Sequence, residues 1–491
     1  MKTRTAFCIA ALTLVVLGLA AVTSNLTAAP AKPTPQHVEN IIPAERVADL
    51  AAIQKRHART IMALPGVQGF GVGLTADGKD AELQVLVRDD QLAPALEPFL
   101  DGAPVSVRYT GRIRLEDGFP GCVQPCHAEQ QTLPVEMGNS AYSTMRCSAC
   151  TLGFKACDAT REKFVYVTNA HCNRDLNLNQ APIGTITRHV SRGDSPGCGF
   201  EEIVGEIGGH ADPCDPANST VDGSKVDSHF DLTWNEIRDI GSPSAFPGNP
   251  ALGTIVQKSG RTTGRTFGRI SMVNLTLNVP AGNFVCGPVT MDEQFMISPV
   301  SPSTIWSNNG DSGSAVLDNE NRIVGLNFAG DGANGYANTI ENVLLELDLT
   351  LNLFECTGDC PFAEAARGLP EDSTLLGLGY RFRDQVLPRT SHGRRYAELF
   401  EEHRFEMLKI MLTRPNLLQS TRAALDEHRG TLETLVERGR AVVSAQQVTE
   451  LQSLLSSFAA AASQELRQDL ETLRRDVADD DVQRAIGIVV Q

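Results

Sequence analysis

The run Asn308–Leu317, NNGDSGSAVL, sets a serine between two glycines and follows it with an apolar, strand-like stretch. A turn ahead of a strand accounts for the glycines, which take positive φ at little cost. It does not account for the hydroxyl of Ser312 at the centre of that turn, with Asp311 before it. Serine is a poor nucleophile at its ordinary pKa and needs a neighbouring base to take its proton. The reading of the chain turns on whether the sequence supplies that base.

Among ten histidines, His171 has the suitable setting. In KFVYVTNAHC, Lys163–Cys172, an apolar strand runs out into small residues, then the imidazole, then a cysteine. His189, His210 and His229 fall mid-strand, in a glycine-flanked loop, or beside acids.

TNAHC ahead of GDSGS resembles the trypsin-like serine peptidases of the chymotrypsin fold, in a bacterial branch. CTLGFKAC, Cys150–Cys157, is similar to the strand that this family places before its histidine strand. VQKSGRTTGRTFGRI, Val256–Ile270, resembles the hairpin opening the second barrel. RIVGLNFAGDGANGYANTI resembles the strand pair lining the primary specificity pocket. The likeness spans residues 144–347 and leaves both flanks uncovered.

The resemblance implies Ser312 as nucleophile, His171 as general base, and the N–H groups of Gly310 and Ser312 as the oxyanion hole. Asp311 is expected to point inward and hold the loop. For the carboxylate that orients the imidazole, FDLTWNEI makes Asp231 the first choice, and Asp227 in KVDSHF is the rival. A basic preference before the cleaved bond would need an acid six residues ahead of the nucleophile. Trp306 stands there, so a neutral or small residue is expected in the pocket.

Of 12 cysteines, Cys8 lies in the leader and the rest crowd into residues 122–360, which reads as disulfides in an oxidising compartment. The placement of Cys157 and Cys172 on successive strand segments predicts a bond between them, and Cys286, with no near neighbour, is the expected odd thiol. Cys147 and Cys150 form a C-x-x-C without a second pair, so no metal is expected; no cofactor is implied.

Residues 1–31 read as a signal peptide, with a basic start and an apolar run from Ala6 to Val22. Its removal takes Lys2 and Arg4 and no acid, so the net charge goes from −16 to −18. An acidic surface disfavours nucleic acid and anionic membranes as partners. A secreted or periplasmic protein acting on proteins or peptides is the expectation.

Residues 32–115 read as a small α/β domain and possible prosegment. A helix is expected over Ala44–Met62, then alternating strands and a second short helix within DDQLAPALEPFLDG. Residues 116–360 carry short glycine-punctuated β runs, expected as two antiparallel barrels. Residues 361–491 show helical spacing, with Leu451 to Val477 keeping 3–4 steps, so an all-α hairpin or bundle is expected. A secreted serine endopeptidase is the leading reading. An inactive binding protein on the same fold, or an esterase with the same triad, competes with it.

Overall fold

The computed structural model describes residues 40–116, 126–143, 148–191 apart from 159, 162 and 176, 194, 202–228 apart from 216, 217 and 219, 232–280, 284–353 and, with gaps before 386, 356–490. The signal peptide and Asp231 lie outside the described residues. Two compact units are present, Pro30–Leu353 and one containing Phe354–Gln491. Among the described residues, no helix is long and apolar enough to cross a membrane.

The first unit opens with α1 (Ala44–Met62), β1 (Val67–Leu74), β2 (Ala81–Arg88), β3 (Phe99–Leu100), β4 (Ala103–Thr110) and β5 (Arg114–Leu115). β1 and β2 form the expected hairpin, and β4 lies parallel to β2. The second short helix is absent: residues 89–98 are irregular, and Pro94 and Pro98 explain why, since each removes a donor and fixes φ.

Next come β6 (Val135–Met137), β7 (Ser140–Ser143), β8 (Cys150–Thr151), β9 (Phe154–Asp158), β10 (Lys163–Thr168), β11 (Ile186–His189), β12 (Glu202–Ala211), β13 (Gly223–Asp227) and β14 (Thr233–Ile237). Seven of them make one sheet, in the order β8-β7-β11-β12-β13-β10-β9. The remaining strands are β15 (Ile255–Gly260), β16 (Gly264–Val279), β17 (Val289–Pro299), β18 (Ala315–Asp318), β19 (Ile323–Gly330) and β20 (Gly335–Thr339), followed by α2 (Ile340–Glu346). Their pairings run β15-β18-β19-β20-β17-β16, and β16 pairs β15 again, so these six strands close on themselves.

The N-terminal strands are stitched to this ring. β1 pairs β16 antiparallel, with Phe70 opposite Thr276 and Val72 opposite Val273. The alternation in VQGFGVGL explains the fit: Phe70 and Val72 are fully buried, and the glycines take the other face. A Cβ on Gly71 would sit 3.1 Å from the Leu275 Cα and 3.1 Å from the Val273 carbonyl oxygen. Gln54 of α1 donates to the Phe70 carbonyl at 3.0 Å and to the Thr276 hydroxyl at 3.1 Å, tying helix, β1 and β16 together. One apolar core holds Leu50, Phe70 and Val85 with Ile270, Phe295 and Trp306.

The second unit contains α3 (Ser391–Thr413), α4 (Pro415–Glu427), α5 (Arg429–Arg438), β21 (Ala441–Val443), α6 (Ala445–Ala461), α7 (Gln464–Val477), α8 (Asp480–Ala485) and β22 (Ile488–Val490). The 3–4 spacing of Leu451 to Val477 crosses a break. The chain turns at Ala462–Ser463, and the Ser463 hydroxyl accepts from the Leu466 N–H to start α7. Periodicity alone does not register a cap. β21 and β22 pair in parallel, so the tail is not all-α as expected.

Gly71→Val should lower the free energy of unfolding by about 1–3 kcal/mol, the usual range for overpacking a tight contact, and so lower the urea midpoint. Urea denaturation followed by tryptophan fluorescence would measure it, and an unchanged midpoint would remove the close-approach argument.

Candidate active site

The strand β10 delivers His171. It leaves the sheet at Thr168, and a short 3-10 turn, Ala170–Cys172, holds the imidazole with no exposed surface. β10 pairs antiparallel with β13, Thr168 opposite Ser224, so the residues just before β13 lie beside the turn that carries His171. Asp222 is there. Its carboxylate accepts from His171 Nδ1 and, at 3.0 Å, from the His171 backbone N–H.

The carboxylate that receives His171 Nδ1 is therefore Asp222 and not the rival Asp227, while Asp231 lies outside the described residues. Asp227 lies at the far end of β13, about 17 Å along the strand from Asp222 at the usual rise per residue. It pairs with Arg161 at 2.7 Å and Lys163 at 2.6 Å. Asp222 escaped the sequence reading because Lys225 interrupts the apolar alternation of β13. That lysine is nearly buried, bridging Asp158 at 2.7 Å and donating to the Leu347 carbonyl at 2.7 Å. Asp222 directly precedes a strand, but that strand carries a buried charge that hides it from hydropathy.

Burial pushes the Asp222 carboxyl up, but His171 and the Arg174 guanidinium more than offset this and hold it below its ordinary value. Donation from Nδ1 to the carboxylate fixes the tautomer with the proton there and leaves Nε2 as the free lone pair. Nε2 is buried and has no hydrogen-bond partner among the described residues. The Asp222 carbonyl accepts from Asn169 at 2.7 Å and its N–H donates to Asn338 at 3.2 Å, so the carboxylate has a fixed backbone.

Ser312 is also fully buried, and its hydroxyl donates to the Phe328 carbonyl at 3.1 Å. The turn before it is set by Asp311, which accepts from the N–H groups of Thr262 at 2.8 Å and Asn308 at 3.0 Å and from the Thr263 hydroxyl at 2.7 Å. Lys258, buried too, lies 3.4 Å from the same carboxylate. Gly310 takes φ +96°, which aims its N–H outward from the turn.

That N–H has a partner. It donates to the Glu116 carbonyl oxygen at 2.5 Å, and the Glu116 N–H donates to the Phe328 carbonyl at 3.2 Å. Upstream, Leu115 lies opposite Ala329 and Arg114 opposite Gly330, so β5 adds an antiparallel strand to β19. The Glu116 side chain is buried. The Ser307 hydroxyl donates to its Oε1 at 2.8 Å and the Asn327 amide to its Oε2 at 2.9 Å. Burial and nearby Asp311 push this carboxyl up to about 8, against the pull of Asn327, Ser307 and Lys258.

Cys172 bonds Cys150, with Cα atoms 6.1 Å apart, and not Cys157. The register of the β9–β10 hairpin gives the reason: Cys157 opposes Phe164, at the end of β10 remote from His171. Cys157 is disulfide-bonded elsewhere. Cys286 is no odd thiol either, being bonded to Cys214. Cys150, His171 and Cys172 cluster closely, but with their sulfurs joined the two cysteines offer no thiolate to a metal.

No family model matches the chain, and no curated protein matches it. Among solved structures it is similar to Protease A of Thermobifida fusca, at 19% identity and a TM-score of 0.32, over 44% of this chain and 97% of that one. It is similar to the chymotrypsin of Cellulomonas bogoriensis, at 19% identity and a TM-score of 0.31, over 44% and 97%. A glutamic acid specific serine protease described as using a histidine triad in substrate binding matches at 20% identity and a TM-score of 0.31, over 44% and 99%. At these values the roles of residues rest on the geometry of this chain alone.

Peptide mapping without reduction should recover Cys150–Cys172 and Cys214–Cys286. Replacing both Cys150 and Cys172 by alanine should cost about 3 kcal/mol, from the chain-entropy cost of closing a loop of that length. Recovery of a Cys157–Cys172 peptide would refute the pairing.

Proposed function

We propose that this chain is a secreted or periplasmic serine endopeptidase on a two-barrel fold, acting through Ser312, His171 and Asp222. The observation that carries the reading is a peptide segment already lying as a substrate would. Residues 114–116 pair with β19, and the Glu116 carbonyl accepts from the Gly310 N–H beside the Ser312 hydroxyl. An esterase cleft has no need of a strand-pairing edge. The same contact also speaks against an inactive binding module, because it seats a carbonyl on a donor at the nucleophile.

The geometry supports the following roles. Asp222 holds the imidazole in the tautomer whose Nε2 is a base and stabilises the imidazolium that forms. Buried polar atoms without partners are rare and call for a reason, and a catalytic lone pair is one. The Ser312 hydroxyl turns from the Phe328 carbonyl to Nε2, gives up its proton and attacks the carbonyl carbon. Gly310, with the Ser312 N–H, receives the oxyanion; losing one such donor costs roughly 2.7–4 kcal/mol in comparable sites. His171 then returns the proton to the departing amine.

A fluorophosphonate probe should label the protein at Ser312 and fail on Ser312→Ala. Asp222→Asn should cut turnover by roughly 10⁴-fold, the scale expected for a wrong tautomer. Asp227→Asn should leave labelling of folded protein unchanged. Folded, disulfide-bonded protein that stays unlabelled near pH 8, with residues 40–116 removed by proteolysis, would return the reading to an inactive binding protein.

A further inference from the structure

The pocket around Glu116 is built for its side chain. Trp306 lies at the position where the sequence placed the pocket floor, and its indole N–H donates to Asn327 Oδ1 at 2.9 Å. That bond settles which way the amide faces, since an indole can only donate. The Asn327 NH₂ group therefore points at Glu116, and Ser307 supplies a second donor. A Cβ on Gly330 would lie 2.1 Å from Glu116 Oε1, so glycine there leaves room for the carboxyl.

We infer that this cleft selects glutamate before the cleaved bond through Ser307 and Asn327, and that its first substrate is its own chain at the carboxyl side of Glu116. The inference rests on the peptidase reading above and deepens it. The expected neutral or small occupant is replaced by a carboxylic acid because a hydroxyl and an oriented amide, not a cation, receive it. In the step itself, Ser312 Oγ bonds to the Glu116 carbonyl carbon and the C–N bond to Asp117 breaks. The serine proton passes through His171 to the Asp117 nitrogen. Water then hydrolyses the acyl-serine, leaving a Glu116 carboxylate and a new amino terminus at Asp117. Residues 40–116 become a product still paired to β16 and β19, an inhibitor that must leave before other substrates enter.

The charged groups facing Glu116 are Asp311 from the nucleophile turn and Lys258 from β15; Asn327, Phe328, Ala329 and Gly330 of β19 bring none. Glutamate is thus taken up with its proton. Its docking is strongest below the ordinary carboxyl value of 4.5 and weakens as pH rises through about 8. Glutamine, the neutral isostere, has no such dependence.

The test uses the full chain. Wild type should yield an amino terminus at Asp117 by sequencing, at a first-order rate independent of protein concentration, and Ser312→Ala should not. The processed enzyme should then be offered peptides with Glu, Gln, Ala, Phe or Lys before the cleaved bond. Glu and Gln should exceed the others at pH 6, and the Glu-to-Gln ratio of kcat/KM should fall with rising pH, by up to about tenfold per unit. Asn327→Leu should lower kcat/KM for the Glu and Gln peptides by roughly tenfold relative to Ala, the scale of one hydrogen bond lost from a buried oxygen. A processed enzyme that takes the fluorophosphonate yet prefers Lys, Phe or Ala, or processes elsewhere, overturns this inference and leaves the peptidase reading standing. Absence of both labelling and processing sinks the peptidase reading itself.

Discussion

The carboxylate of Asp311 has no exposed surface, yet it collects N–H groups from Thr262 and Asn308, the Thr263 hydroxyl and the ammonium of Lys258. A buried charge left without partners costs several kcal/mol, so these donors cannot be given up singly. Their convergence fixes the turn Asn308–Ser312. With the turn fixed, Gly310 presents its N–H and Ser312 its hydroxyl at the same side of the cleft. Lys258 also lies 5.7 Å from the centre of the Trp306 ring, which in turn orients Asn327. One ion pair thus braces both the Asn308–Ser312 turn and the pocket around the Glu116 side chain.

A second constraint is strand register. The pairing of β10 with β13 brings Asp222 to His171, and the pairing of β5 with β19 brings Glu116 to Gly310. Each places a single side chain by a series of backbone hydrogen bonds, so a one-residue slip would turn the functional group to the other face. The Cys150–Cys172 bond and the Asn169 and Asn338 contacts secure the first pairing at its open end. The second is secured upstream by Ile113, fully buried among Leu275, Met296 and Phe328.

The N-terminal strands belong to the same sheet system. β1 lies on β16 through glycine-lined contacts, and Gln54 bonds across to Thr276. The chain then runs from β4 through Gly111 to Glu116 without leaving the surface of the ring. Gly111 passes so close to Asp331 that a Cβ would fall 2.1 Å from its carbonyl oxygen. The arrangement supports a segment that both pairs with the ring and fills its cleft.

Sequence alone was enough to read the turn at Asn308–Ser312, the histidine at a strand end, the β-rich character of the middle and the helical character of the tail. These are legible because they reside in local patterns: glycine at positive φ, alternation, and 3–4 spacing. The contact of Asp222 with His171, the disulfide partner of Cys172 and the placement of Glu116 became visible only in the tertiary structure. Each depends on which strand lies beside which, and hydropathy does not encode register. Lys225 broke the pattern that would have marked Asp222, because a buried lysine paired to Asp158 reads as a solvent residue. LEDG at residues 115–118 reads as a loop boundary, since nothing local shows that Leu115 will be covered by β19. Long-range backbone pairing supplied that information, and it exists only once the chain has folded.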